Sequence, residues 1–150
     1  MTYSAKDVAG WMVAAFQRRH QEITNLKLQK ILYYAQAWHL VFYDRPLFRE
    51  SIEAWIHGPV IPSVFRDYRR YGWKPISEPF TLSRTPEQVR PHLKEVIRVY
   101  GDFDALSLER LTHQESPWRE VRKGLAPDEP SNRVITNESM RKYYNARLNG

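Results

Sequence analysis

Cysteine is absent from all 150 residues. That absence excludes a disulfide framework, Cys-ligated zinc, a thiol nucleophile and iron–sulfur chemistry, and it suits a reducing compartment. Glycine is scarce, at six residues. None stands in a Walker or Rossmann spacing, so a phosphate cradle is excluded. No apolar run approaches the length of roughly 18 residues that would span a bilayer. The apolar stretch after Lys6 and Asp7 is cut by Arg18 and Arg19 too early for a signal peptide, and the expected location is cytoplasmic. His20, His39, His57, His92 and His113 are scattered, with no HExxH and no tight cluster with carboxylates. There is no G-x-S-x-G nucleophile elbow. Neither a cofactor nor a metal is expected. Internal repeats and low-complexity tracts are missing too.

What is present fits one domain over residues 1–150. A chain this long buries roughly 70% of its unfolded surface, enough for a core without staples. Hydrophobic residues make up 42% and charged residues 27%, so the chain is neither disordered nor membrane-like. Basic side chains outnumber acidic ones 23 to 17, for a net +6. Residues 1–75 hold 11 basic and 6 acidic side chains, and residues 76–150 hold 12 and 11. The excess therefore lies in the first half, mostly at Arg18, Arg19, Arg66, Arg69, Arg70 and Lys74. A basic excess favours an acidic or polyanionic partner and names none.

Periodicity predicts helices through most of the chain. Ser4 and Asp7 have capping-box spacing, and Val8, Trp11, Met12 and Ala15 recur at helical intervals, which predicts a helix over 5–19. Residues 25–43 carry two apolar stripes and few polar side chains, as a central, surrounded helix does. Residues 47–57 have no helical period and suit a short extended piece. His57-Gly58-Pro59-Val60 is a turn, since Gly58 before proline needs an extended conformation. Pro62 at a first turn and Gly72 at a stop bracket a helix over 61–71. A loop runs from Trp73 to Arg84. Thr85-Pro86-Glu87-Gln88 opens the next helix, with Pro91 able to move its start to about 90 and Gly101 as its stop. Asp104 caps a short helix, Ser116-Pro117 starts another that ends by Gly124, and Asn137 caps a terminal one. Residues 126–131 form a loop. The fold class is mainly α, about seven helices with at most a short strand or hairpin.

Two sets of residues invite a functional reading. Arg66, Arg69, Arg70 and Lys74 alternate with Phe65, Tyr68, Tyr71 and Trp73. That pattern suits a solvated helix face over a packed core, a protein-binding face or a nucleic-acid surface that combines phosphate contacts with base stacking. Thr112, His113 and Glu115 can be drawn as an acid–base set, or as a polar helix end that orders the following loop. Aromatics total 20 of 150 residues, five of them tryptophan. A helical domain rich in Tyr, Trp and Arg leans toward protein binding, where those residues dominate hot spots.

Three blocks carry a family resemblance. They are Leu26-Lys27-Leu28-Gln29-Lys30-Ile31-Leu32-Tyr33-Tyr34-Ala35-Gln36-Ala37-Trp38, then Pro46-Leu47-Phe48 with Glu53 through Pro62, and Leu111 through Trp118. In this order they resemble the Panacea domain, a family that includes phage- and genetic-island-associated GepA-like proteins and SocA-like antitoxins. The likeness covers roughly residues 5–122. The family pattern often has Tyr where this chain has His57. The resemblance implies a mainly helical antitoxin without enzymatic activity. It would neutralise a cognate toxin by direct contact, or act as an adaptor that presents the toxin to a protease. Lys27, Lys30 and His113, polar on apolar segments, suit a site or a buried polar network. With Arg66, Arg69 and Arg70 they form the expected partner-binding set. The alternative reading is a nucleic-acid-binding regulator that uses the Arg66, Arg69 and Arg70 face.

Overall fold

A computed structural model describes residues 2–77 and 86–149. Seven α-helices lie among them: α1 (Ala5–Arg18), α2 (Asn25–Tyr43), α3 (Pro62–Tyr68), α4 (Arg90–Tyr100), α5 (Ala105–His113), α6 (Ser116–Val121) and α7 (Asn137–Asn149). Strands β1 (Ile52–Trp55), β2 (Gly58–Val60) and β3 (Val134–Ile135) form one small antiparallel sheet in the order β2-β1-β3. The fold is mainly α. None of the described helices is long and apolar enough to cross a membrane.

The two apolar stripes of α2 are both covered, because α1, α3, α4, α5, α7 and β2 all pack against this helix. Its polar side chains are therefore buried, and Gln29 and Gln36 hydrogen-bond the segments around them. Gln36 donates to the Phe48 carbonyl at 2.8 Å and accepts from the Leu47 amide at 2.7 Å. Gln29 accepts from the Ile61 amide at 2.9 Å and donates to Asn25, whose own amide reaches the Phe65 carbonyl at 3.1 Å. These bonds fix the hairpin and α3 to the central helix.

Caps follow the expected chemistry with one shift. Ser4, Thr24 and Asp104 accept from the amides of Asp7, Lys27 and Ser107. At the last helix the cap is Thr136 rather than Asn137. Its hydroxyl accepts from the Ser139 amide at 3.1 Å, and its carbonyl takes the first helical bond, from Met140. The expected helix over 61–71 is α3 followed by a tighter 3₁₀ turn at Arg69–Tyr71. Pro91 does delay α4 to Arg90, after a 3₁₀ turn at Glu87–Val89. Residues 78–84 of the expected loop, and Thr85 of the expected helix start, lie outside the described residues.

The extended piece expected over 47–57 becomes a hairpin plus a third strand. Trp55 pairs with Gly58 across a two-residue turn, Ile56-His57. Pro59 is tolerated because β2 is an edge strand. β3 arrives from far along the chain and pairs Ile52 with Ile135. From α6, Trp118 donates its indole N–H to the Trp55 carbonyl at 2.8 Å. Just beyond α6, the buried Arg122 donates to the carbonyls of Ala54, Ala126 and Glu129. Both clamp β1 onto the helical layer.

Candidate functional site

The outer face of the hairpin forms the floor of a groove of about 750 Å³. Glu53 and Trp55, the half-buried residues of β1, line it together with Val60 and the hairpin tip at Ile56 and His57. Phe65 and Arg69 form one wall, and residues 130–132 form the other. Trp55 and Phe65 meet edge to face, with ring centroids 5.1 Å apart. At the groove's end stands Trp73, 75% exposed, the most exposed large apolar side chain among the described residues. A second hollow of about 370 Å³ shares Leu26, His57, Gly72 and Trp73 with the first and continues to Leu106 and Glu109.

Behind the hairpin tip lies a polar cluster. His57 Nδ1 is 3.2 Å from the Glu109 carboxylate at the surface. Beneath Gly58 is Lys30, fully buried, its ammonium without a hydrogen-bond partner in the protein. Gly58 has φ +117°, and a Cβ there would lie 2.8 Å from Lys30 Cε and 3.1 Å from Thr112 Oγ1. Burial pushes the Lys30 amine down to about 8, with Glu109 opposing the shift. His113 stacks on Trp118 with ring centroids 3.8 Å apart, and its Nε2 is buried and unpartnered. Burial lowers its pKa, Glu109 opposes that, and Lys30, Arg122 and His57 add to it.

The expected site residues therefore divide. Arg66, Arg69 and Arg70 are exposed on α3 and the turn after it, and Arg69 lines the groove. Lys30 and His113 meet in the cluster behind Gly58. Lys27 is buried elsewhere: its ammonium donates to the Gly101 carbonyl at 2.6 Å and lies 4.8 Å from the Phe16 ring centre. The acid–base set does not assemble. Glu115 Oε1 accepts from the hydroxyls of Tyr34 at 2.6 Å and Tyr144 at 2.8 Å, inside the core. The carboxylate that acts on His113 is Glu109. Thr112 donates its hydroxyl to the Glu109 carbonyl. Among the described residues, no group of three or more His, Asp or Glu could hold a metal ion. Sequence reasoning missed the part played by Trp55, His57 and Trp73, which only the hairpin brings together. The one available signal was Trp73 directly after a helix-stop glycine, beyond the helix that would bury it.

The family model described as "Antitoxin SocA-like, Panacea domain" matches residues 28–119. That span runs from the central helix through the hairpin and the groove's arginine wall to Trp118. The chain belongs to the SocA-like Panacea antitoxin family. A curated relative, Antitoxin SocA of Caulobacter vibrioides (strain NA1000 / CB15N), is 31% identical over 115 residues. The match covers 68% of this chain and 61% of the relative's length. No solved structure matches. The Panacea match includes Lys30, Gly58, Glu109 and His113, so the polar cluster lies within the family region, as does Trp73.

Proposed function

We propose that this chain neutralises a cognate toxin by direct protein–protein binding and catalyses no reaction of its own. Membership of an antitoxin family supports the reading, and the observation that carries it on this molecule is the exposed Trp73 beside Arg69 at a preformed groove. Exposed Trp and Arg at a concave apolar surface are the usual makings of an interface hot spot. The nucleic-acid alternative needs aromatic faces open for stacking. Tyr68 is buried and Phe65 is half-buried against Trp55, which leaves Trp73 as the one well-exposed ring beside the arginines and no run of open faces for successive bases. The cytoplasm is the compartment this role implies. Delivery of the toxin to a protease is a variant of the same binding event.

Co-expression with the product of the adjacent gene tests the reading. The neighbour is expected to be toxic alone, and to be harmless and to co-purify when this chain is present. Toxicity that persists without a complex sinks the proposal. A fall in the neighbour's half-life on co-expression marks protease delivery, and an unchanged half-life marks sequestration.

A further inference from the structure

We infer that the toxin docks in the groove between the hairpin and Trp73, through apolar side chains flanked by a carboxylate that pairs with Arg69. This deepens the antitoxin reading and rests on it.

The lining sets the chemistry. Trp55, Ile56, Phe65 and Trp73 give the groove an apolar interior, and its volume falls in the range that swallows whole side chains. Glu53 accepts from the Trp55 indole N–H at 2.9 Å and places one negative charge on the groove floor. Arg69 is the cationic side chain in the lining, and Arg66, Arg70 and Lys74 are exposed around it. Asp67 is the acidic residue among them. An apolar anchor with acidic neighbours complements this surface, and a basic one is repelled.

The backbone sets the mode of entry. Strand addition at β2 is blocked, because Pro59 has no N–H and the Ile61 amide after the strand is already held by Gln29. The partner therefore binds through side chains presented from a helix or a loop. The platform that receives them is held in place. Trp118 and Arg122 bond the carbonyls of Trp55 and Ala54, and Asn25 bonds the Phe65 carbonyl. A surface ordered before contact loses little entropy on binding.

The test uses the full chain with the product of the adjacent gene as probe, measuring affinity and rescue from toxicity. Trp73→Ala and Arg69→Glu alter exposed side chains, so their melting temperatures should match the parent. Trp73→Ala is expected to weaken binding roughly 30-fold or more, the scale of a hot-spot tryptophan. Arg69→Glu should weaken it as well and reduce its sensitivity to salt. Lys94→Glu, an equal charge change at an exposed position of α4, should leave affinity unchanged. If the parent neutralises and both groove variants bind as it does, the groove is wrong and the antitoxin reading stands. Equal loss in Lys94→Glu also overturns the groove, since net charge alone would then be read. Retention that vanishes on nuclease treatment overturns it in favour of nucleic acid. A parent that neither binds nor rescues overturns both readings together.

Discussion

Lys30 shows how far one residue can depart from what its position favours. Its amine is fully buried, unpartnered and pushed down to about 8 from an ordinary 10.5. The unfolded chain therefore binds the proton more tightly than the folded one. Stability gained from this group is complete above about 10.5, is lost as pH falls through 8, and is absent at pH 7. Lys30→Met removes the buried charge and keeps most of the volume, so it should stabilise the fold at pH 7 by up to about 3 kcal/mol. Urea unfolding at pH 7 measures this, and a destabilised variant would show that the ammonium is well solvated or paired in solution. Burial lowers the Lys27 pKa as well, but unlike Lys30 its ammonium has a partner. It donates to the Gly101 carbonyl just past the end of α4, where a cation is favoured. Lys27→Met should cost about 1–3 kcal/mol, as loss of a charged hydrogen bond does, and the same unfolding experiment reads it. Both lysines stand out in the sequence as polar residues on apolar segments. Which one is paired depends on Gly101 and Gly58, far along the chain, and periodicity carries no record of either contact.

At the scale of elements, the helices were legible in detail, and the sheet only as an extended piece over 47–57. The stripes of α2 and the caps at Ser4 and Asp104 are local signals, and each reappears as an element or a bonded cap. β3 has two residues, too few to show alternation, and its partner lies some 80 positions away. The groove depends on that sheet, so it was hidden for the same reason. The arginine face of α3 was visible because helical spacing alone separates Arg66, Arg69 and Arg70 from the buried Val64 and Tyr68. The hairpin itself turns on Gly58. Alanine there would be strained at φ +117° and would press its Cβ on Lys30 and Thr112. Gly58→Ala should cost about 1–3 kcal/mol from strain alone. Amide exchange should show that loss in the hairpin, and protection equal to the parent would mean that the turn relaxes freely.

Across the whole molecule, burial redistributes the charge that the composition announces. Two of the eleven basic side chains in the first half, Lys27 and Lys30, are inside, so the surface excess concentrates around Arg66–Lys74. The same burial governs the response to acid. His39 bonds the Arg45 carbonyl at 2.7 Å, His92 bonds the Ala35 carbonyl at 2.9 Å, and His113 lies against Trp118. They join α2 to its following loop, α4 to α2, and α5 to α6. Burial lowers the pKa of all three below the ordinary 6.5. Above 6.5 both states are neutral at these sites and nothing is lost. As pH falls below 6.5 the unfolded chain takes up protons first, so stability drops until the folded pKa values are reached. Glu115 opposes this, because burial raises its pKa and its contribution improves as it protonates. Three histidines against one carboxylate leave a net loss. The urea midpoint should rise from pH 7 to 8 as Lys30 loses its proton, and should be lower at pH 5.5 than at pH 7, with His92→Gln reducing that drop. A midpoint that holds or rises at pH 5.5 would mean that these imidazoles accept protons in place. The joints between helices would then be looser than their hydrogen bonds indicate, and the hairpin platform, tied to α5 and α6, would loosen with them.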